Sequence, residues 1–458
     1  MKMTEIKIQN VIIFISSALL IQYDKYGNFV LRTCIKPICI LTVIQGISVK
    51  LTEKKNILIF GKDLIEDDPV RQIERCITSD DDIAVINADA HYGYGHPIGG
   101  AVAYKEKISL SGVGFDIACG NYAVRTDIQA KGIKVPDVMN EIFRRISFGI
   151  GRPNNEPADH EVLDKIHKAE FQPQRKLYKL AQEQLGTVGA GNHFVDLFED
   201  ADGFLWIGVH FGSRGFGYKT TTGFIALSRG LPFEERVREG SMDAPPILFN
   251  IDTTLGQSYI EAMNLAGEYA YAGRDLVVKK VLEILGNPAV TYSVHNNHNF
   301  AWREEHFGSM YWVIRKGCTP AFPGQKGFIG ATMGEDSVIV EGIDTETSRR
   351  ALYTTVHGAG RVMSRTKSAG RKKWIRDRNG ITRLKTITRG LIDFEDVRSE
   401  MTARGIELRG GDADEAPECY KRLDDVLRRQ GDTIKILFRL HPLGVAMAGG
   451  ETFDPYKD

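Results

Sequence analysis

The chain has 458 residues, with 59 Lys+Arg against 59 Asp+Glu, 42% hydrophobic and 26% charged. That length admits one large domain or two to three average ones, and the apolar content excludes wholesale disorder. Zero net charge excludes a histone-like or tail-like nucleic-acid binder, but not a local basic patch.

Residues 10–21 read NVIIFISSALLI, and 35–47 are also apolar-rich. Each run falls short of the roughly 20 residues that span a bilayer. Lys2 and Lys7 flank the first run as in a signal peptide, yet QYDK at 22–25 is a poor cleavage site. A hairpin turning at DKYGN, 24–28, or an upstream start accounts for it better. Residues 1–50 read as an extension and 51–458 as one interwoven domain. Strands are expected at 56–61 and 83–86 and helices at 69–76, 136–147 and 158–186. Between Asn87 and Gly120 seven glycines imply strands joined by tight loops. Further on, a strand at 204–209, a helix at 256–285 closed by Gly286 and Pro288, and a strand at 290–294 follow. Helices are expected at 393–404 and 417–430. The cysteines, at 34, 39, 76, 119, 318 and 419, include no C-x-x-C pair, which fits a reducing, cytoplasmic compartment.

Chemistry-bearing residues gather on glycine-rich segments. Asp116 and Cys119 stand three apart, and a thiolate is a strong metal ligand; a buried structural cysteine is the alternative. A glycine turn delivers Asn192 and His193. His210 ends an apolar strand, and Arg214, on a glycine loop, suits phosphate. HNNHN at 295–299 follows another strand. His357 precedes GAGR, so its imidazole could face a phosphate held by that loop and Arg361, and imidazole nitrogen can attack phosphorus. A core histidine or an ordinary turn remains the alternative at each place. Together they imply a metal site beside a phosphate site, with softness alone favouring zinc. Residues 365–389 carry ten Lys/Arg, one acid and Trp374, which fits a polyanion groove or a solvated basic face.

Eight motifs in order carry a resemblance: DAHYGYGHPIGG (89–100), VGFDIACG (113–120), GNHF (191–194), HFGSRG (210–215), HNFAWREEH (298–306), RKGCTPA (315–321), HGAGRVMSR (357–365) and DEAPECYK (414–421). The chain resembles the RtcB family of RNA-splicing ligases across about 57–443. The resemblance implies an α+β fold, a central β-sheet structure surrounded by helices. It implies joining of RNA 2′,3′-cyclic phosphate or 3′-phosphate ends to 5′-hydroxyl ends, in tRNA halves or damaged RNA, with GTP and two Mn(II) ions. An activating protein partner is conceivable and no membrane is involved. Cys119 would bridge both metals, Asp116 and His193 completing one site and His210 and His298 the other. His357 would be guanylylated, with Asp89 positioning and protonating. Asn192, His193, Asp196, Asn299, Gly330, Ala331, Thr332, Met333, Ser337, Gly358, Ala359, Gly360 and Tyr420 would surround the nucleotide.

Three departures from the family pattern bear on nucleotide choice. The usual PGSMG loop reads GATMG at 330–334, a glutamate is shortened to Asp196, and Met447 stands where a lysine is expected, with Lys457 a conceivable substitute. A divergent branch is implied. The competing readings are a metal-dependent cyclic phosphodiesterase of RNA ends and an RNA-binding repair factor with weak sealing.

Overall fold

Two β-sheets meet end to end, and the site lies where they meet. The computed structural model describes residues 57–450 except 238–239 and 377–381, with 372, 374, 376 and 382–384 as backbone only. It adds the backbone of short strands before residue 57. The turn expected at 24–28 and Lys457 lie outside the described residues.

The larger sheet runs Val290–Asn297, Gly120–Gln129, Phe204–Phe211, Phe194–Glu199, Ile434–Gly449, Ser337–Gly342, Lys326–Ile329, with Glu407–Gly411 parallel to the long Ile434–Gly449 strand. It curls until its first and last strands nearly close. Asparagine side chains bridge the remaining gap. Phe328 N–H donates to Asn296 Oδ1 (2.9 Å), and Asn121 Nδ2 donates to Phe328 O (2.9 Å). Both asparagines are buried, so these bonds replace a missing strand ladder and satisfy backbone groups that could not reach water. Inward-facing Trp206, Phe198 and Phe328 fill this sheet's interior, each buried. Full burial of side chains this size contributes about 1.5–3 kcal/mol apiece.

The smaller sheet runs Asn299–His306, Ser309–Lys316, Ile98–Tyr104, Ile83–His91, Lys55–Phe60, Ile47–Thr52. Its last strand straddles residue 50, so the sheet continues into the stretch read from sequence as an extension. Between Val290–Asn297 of the larger sheet and Asn299–His306 of the smaller, a single residue, His298, carries the chain across.

The Thr254–Ile284 helix packs across the larger sheet. Thr253 caps it by accepting from Gly256 N–H, worth about 1 kcal/mol. Its buried face carries Tyr259, Met263, Ala266, Ala270, Val277 and Val281 at helical spacing.

Four expectations are corrected. The helix expected at 158–186 is three short ones, Glu161–His167, Gln172–Arg175 and Tyr178–Gln184. Pro173 lacks an N–H, so it can stand in the first turn of a helix but not inside a continuous one, and a new helix starts there. The helix expected at 417–430 is a 3-10 turn, Pro417–Cys419, and a short helix, Leu423–Arg428. Tyr420 is extended between them because it bridges to Arg361, while Lys421 N–H donates to Gly360 O (2.9 Å). Arg214 opens the Arg214–Ser228 helix rather than sitting on a loop. The basic run forms a short helix, Arg365–Ala369, and an antiparallel hairpin of Gly370–Arg376 with Thr382–Arg389, not a groove.

Candidate active site

Sheet register alone brings four side chains together. Gly120 pairs with Phe211 on one side and Asn297 on the other, and Phe194 pairs with His210. Cys119, His210, His298 and His193 therefore stand at the same end of four adjacent strands. Two donor sets result, Cys119–His210–His298 and Asp116–Cys119–His193, each with ligand atoms within 4.8 Å of one another. Cys119 belongs to both. Its sulfur lies 3.3 Å from His210 Nε2 and 3.5 Å from His193 Nε2. His295 stays outside both sets. It stacks on Tyr122 at 4.2 Å and accepts from Arg274 Nε (2.9 Å).

These donors fit a metal ion. His193 Nδ1 donates to Val188 O (3.0 Å), which fixes the tautomer and leaves Nε2 a lone pair. That lone pair faces Asp116 Oδ2 at 3.0 Å, and the carboxylate oxygen has no hydrogen-bond donor. His298 Nδ1 also lacks a partner. Two acceptors facing each other in a buried site call for a cation between them. Burial, then the neighbouring imidazoles, holds His210 and His298 well below the usual histidine range, so both rings are neutral, the form able to ligate. Burial pulls the Asp116 carboxyl up, but the adjacent His193 and Arg214 hold it down at about 2. Burial and Asp116 push the Cys119 thiol up, and a bound cation would reverse that.

His357 continues the row of imidazoles. Ring centroids run 5.5 Å from His193 to His210, 5.2 Å to His298 and 4.8 Å to His357. His357 follows the Thr354–Val356 strand. Its Nδ1 donates to Asp89 Oδ2 (2.7 Å), and its backbone N–H donates to the same oxygen (3.0 Å). Nε2 is thereby the free nitrogen. Asp89 is fully buried and outside the cavity lining, so it orients the ring from behind. Lys421 Nζ donates to Ala88 O (2.7 Å) and Ala90 O (3.0 Å), gripping the strand on both sides of Asp89; burial lowers this ammonium to about 8. Gly360 has φ +75°, and a Cβ there would meet Asp89 O at 2.1 Å, so only glycine lets the loop come this close.

All of this opens on one cavity of about 1330 Å³. Asn192, Asp196, Asn299, Gly330, Ala331, Thr332, Met333, Gly358, Ala359, Gly360, Tyr420 and Met447 line it. Asp196 accepts a backbone hydrogen bond from Ala446; burial raises its carboxyl well above the usual range, and its Oδ1 has no partner. Thr332 Oγ1 is likewise buried and unpartnered. Two residues also support the surrounding backbone. Ser337 lies outside the lining, and its hydroxyl accepts from Ala331 N–H (3.0 Å), shaping the 330–333 loop. Asn299 is a strut, accepting from Gly317 N–H (2.7 Å) and donating to Asp116 O (3.4 Å). Arg361 lines the cavity with Nη2 buried and unpartnered, while its Nη1 donates to the Tyr420 hydroxyl (2.8 Å).

One residue that holds the site together is not among those expected from sequence. Arg274, fully buried in the long helix, donates from Nη1 to Ala118 O (2.9 Å) and Phe211 O (2.7 Å). Those carbonyls adjoin Cys119 and His210. Ala118 has φ +53°, an uncommon conformation for a residue with a Cβ, and its carbonyl is held there by this contact. The signal in sequence is an arginine on the apolar stripe of a helix, four residues after Ala270.

Comparison with known proteins follows the same residues. The family described as "tRNA-splicing ligase RtcB" matches residues 77–176 and 164–448. The "RNA-splicing ligase RtcB" of Escherichia coli (strain K12) is 30% identical over 383 residues, covering 77% of this chain and 86% of that protein. The "tRNA-splicing ligase RtcB" of Pyrobaculum aerophilum is 28% identical over 446 residues, covering 79% and 87%. That of Thermococcus kodakarensis is 27% identical over 453 residues, covering 79% and 87%.

Proposed function

The chain belongs to the tRNA-splicing ligase RtcB family, and from that premise we propose that it is a GTP- and Mn(II)-dependent ligase. It joins RNA ends bearing a 2′,3′-cyclic phosphate or 3′-phosphate to 5′-hydroxyl ends. The observation that carries this reading is the convergence of two donor sets sharing Cys119 with an Asp89-oriented His357 in one cavity. A mere RNA-binding factor needs neither.

Asp116, Cys119 and His193 would hold one metal ion and Cys119, His210 and His298 the other. Bound there, the ions would neutralise phosphate charge and lower the pKa of a bound water or hydroxyl. His357 Nε2 attacks the α-phosphorus of GTP; the N–P bond forms, the α–β anhydride bond breaks, and pyrophosphate leaves with the electron pair. Asp89 keeps the Nδ1 proton in place and stabilises the cationic ring that forms, as an orienting carboxylate does for other catalytic histidines. An RNA 3′-phosphate oxygen then takes the GMP, and the N–P electron pair returns to Nε2. The RNA 5′-hydroxyl finally attacks the 3′-phosphorus, releasing GMP and losing its proton. Arg361 Nη2 offers a donor to these phosphates. Asp196 Oδ1 offers an acceptor to the ring N–H and amino groups that distinguish guanine from adenine.

Incubation with α-labelled GTP and Mn(II), then denaturing electrophoresis, tests the reading. The expected result is an acid-labile, alkali-stable label on the wild type that is absent from His357→Ala. An undiminished label on the variant rejects His357 as the nucleophile. A second reading, a cyclic phosphodiesterase that seals poorly, draws on Met447, which lines the cavity with no charge where the family carries lysine. Absence of label with any nucleotide, together with opening of cyclic phosphate ends, would select it.

A further inference from the structure

The basic run found in sequence is an exposed arm rooted at the mouth of the cavity. Arg361 and Arg365 line that cavity and pair with Glu415 at 3.5 and 3.2 Å. The Arg365–Ala369 helix leads directly into the hairpin. The root is fixed: Leu391 N–H donates to Lys367 O (3.0 Å) and Ile392 N–H to Ser368 O (3.1 Å). Beyond the root the charges change character. Arg371, Lys373, Lys385 and Arg389 are exposed, and among the described residues none of the four is ion-paired. Exposed cations elsewhere commonly have partners, as Arg75 with Asp243, Lys165 with Glu268 and Arg439 with Asp424 do. Lys373 also stands directly across the ladder from Lys385. Like charges in that position destabilise a hairpin unless something anionic lies over them. Ile375 and Ile387 are exposed among these charges, at 39% and 52%. A cationic surface interrupted by apolar side chains matches a single strand's phosphates and bases. Same-face positions on a strand recur at about 6.6 Å, comparable with one nucleotide step.

We propose that this hairpin is an RNA-binding arm, holding the backbone of the substrate strand outside the cavity while its end is processed within. The inference rests on the RNA-ligase reading for the identity of the polyanion, and its test does not depend on catalysis. Neutralising four charges (Arg371→Gln, Lys373→Gln, Lys385→Gln and Arg389→Gln together) should weaken binding of a 20-nucleotide single-stranded RNA on the order of 100-fold at 0.1 M salt. The slope of log affinity against log salt should fall by about 3. Binding of a trinucleotide 3′-phosphate, too short to leave the cavity, should be unchanged, and so should labelling by GTP. The charge-retaining pair Lys373→Arg and Lys385→Arg should keep wild-type affinity. Unchanged affinity and slope for the long RNA would overturn the arm, as would equal loss for long and short RNA. Loss of affinity for an acidic protein with RNA binding intact would also overturn it, in favour of a protein-docking face. If wild type takes no GMP label while the long-RNA result stands, the ligase reading fails and the arm survives.

Discussion

The floor of the cavity and the wall carrying the 330–334 loop are built on different principles. The floor takes Cys119, His193, His210 and His298 from the ends of four hydrogen-bonded strands, where ladder register fixes each position. Arg274 then locks two of those strand ends from behind. The wall is the 330–334 loop, extended Tyr420 and the tail of the long strand at Met447, held by scattered contacts such as Ser337 to Ala331. Two of the three departures from the family pattern, GATMG and Met447, fall on the wall; Asp196 lies on the neighbouring Phe194–Glu199 strand, and none of the three falls on the donor sets. A ligand set requires every member in place, because removing one leaves the rest buried and unsatisfied. A wall binds by a sum of contacts and tolerates the loss of one.

Floor and wall should therefore respond unequally to substitution. The largest effect belongs to the shared thiol. Cys119→Ala should abolish tight binding of both metal ions, whereas Asp116→Ala should remove one and leave the other. Metal content after gel filtration checks this, and two ions retained by Cys119→Ala would refute a shared ligand. Next is Asp89→Asn, which keeps the shape but reverses the hydrogen-bonding preference at His357 Nδ1. The rate of GMP labelling should fall on the order of 10²–10⁴-fold with metal content unchanged. Parallel loss of metal would show Asp89 supporting the fold instead. Arg274→Met keeps the aliphatic stem and deletes the donors to Ala118 and Phe211. Metal affinity should drop about 10–100-fold, as for other groups that orient ligands, and calorimetric titration of the purified protein reads it directly. Arg274→Lys should recover only part, since one ammonium cannot reproduce the planar fork. The smallest effect belongs to the wall. Met447→Lys should lower KM for GTP a few-fold and leave kcat nearly unchanged, the signature of uniform binding. A large change in kcat would mean that the wall takes part in the chemical step.

Much of this site is legible in the amino-acid sequence. Side-chain type marks Asp116, Cys119, His193, His210 and His357, because their chemistry has few structural uses on glycine-rich segments. Local periodicity locates most elements: the long helix is expected at 256–285 and runs Thr254–Ile284. Expectation fails where a distant partner overrides local preference. Tyr420 interrupts a good helical pattern because Arg361 and Gly360 offer it a bridge. Arg214 starts a helix that the glycines on either side disguise as a loop.

What the sequence determined by itself was the inventory: which atoms can ligate, attack or carry charge, and the short-range order of strands and helices. What only the tertiary structure decided was which of those atoms meet. His295 and His298 are three residues apart in one HNNHN run, and nothing local separates a ligand from a core histidine. Strand alternation sends His295 against Tyr122 and Arg274, and the crossing between two sheets turns His298 toward Cys119. The asparagine closure at Asn121 and Asn296 and the Arg274 clamp depend on contacts spanning 207, 32 and 156 residues. Such contacts leave no periodic trace, because a pairing between distant positions is set by the register of the whole sheet and not by the residues on either side.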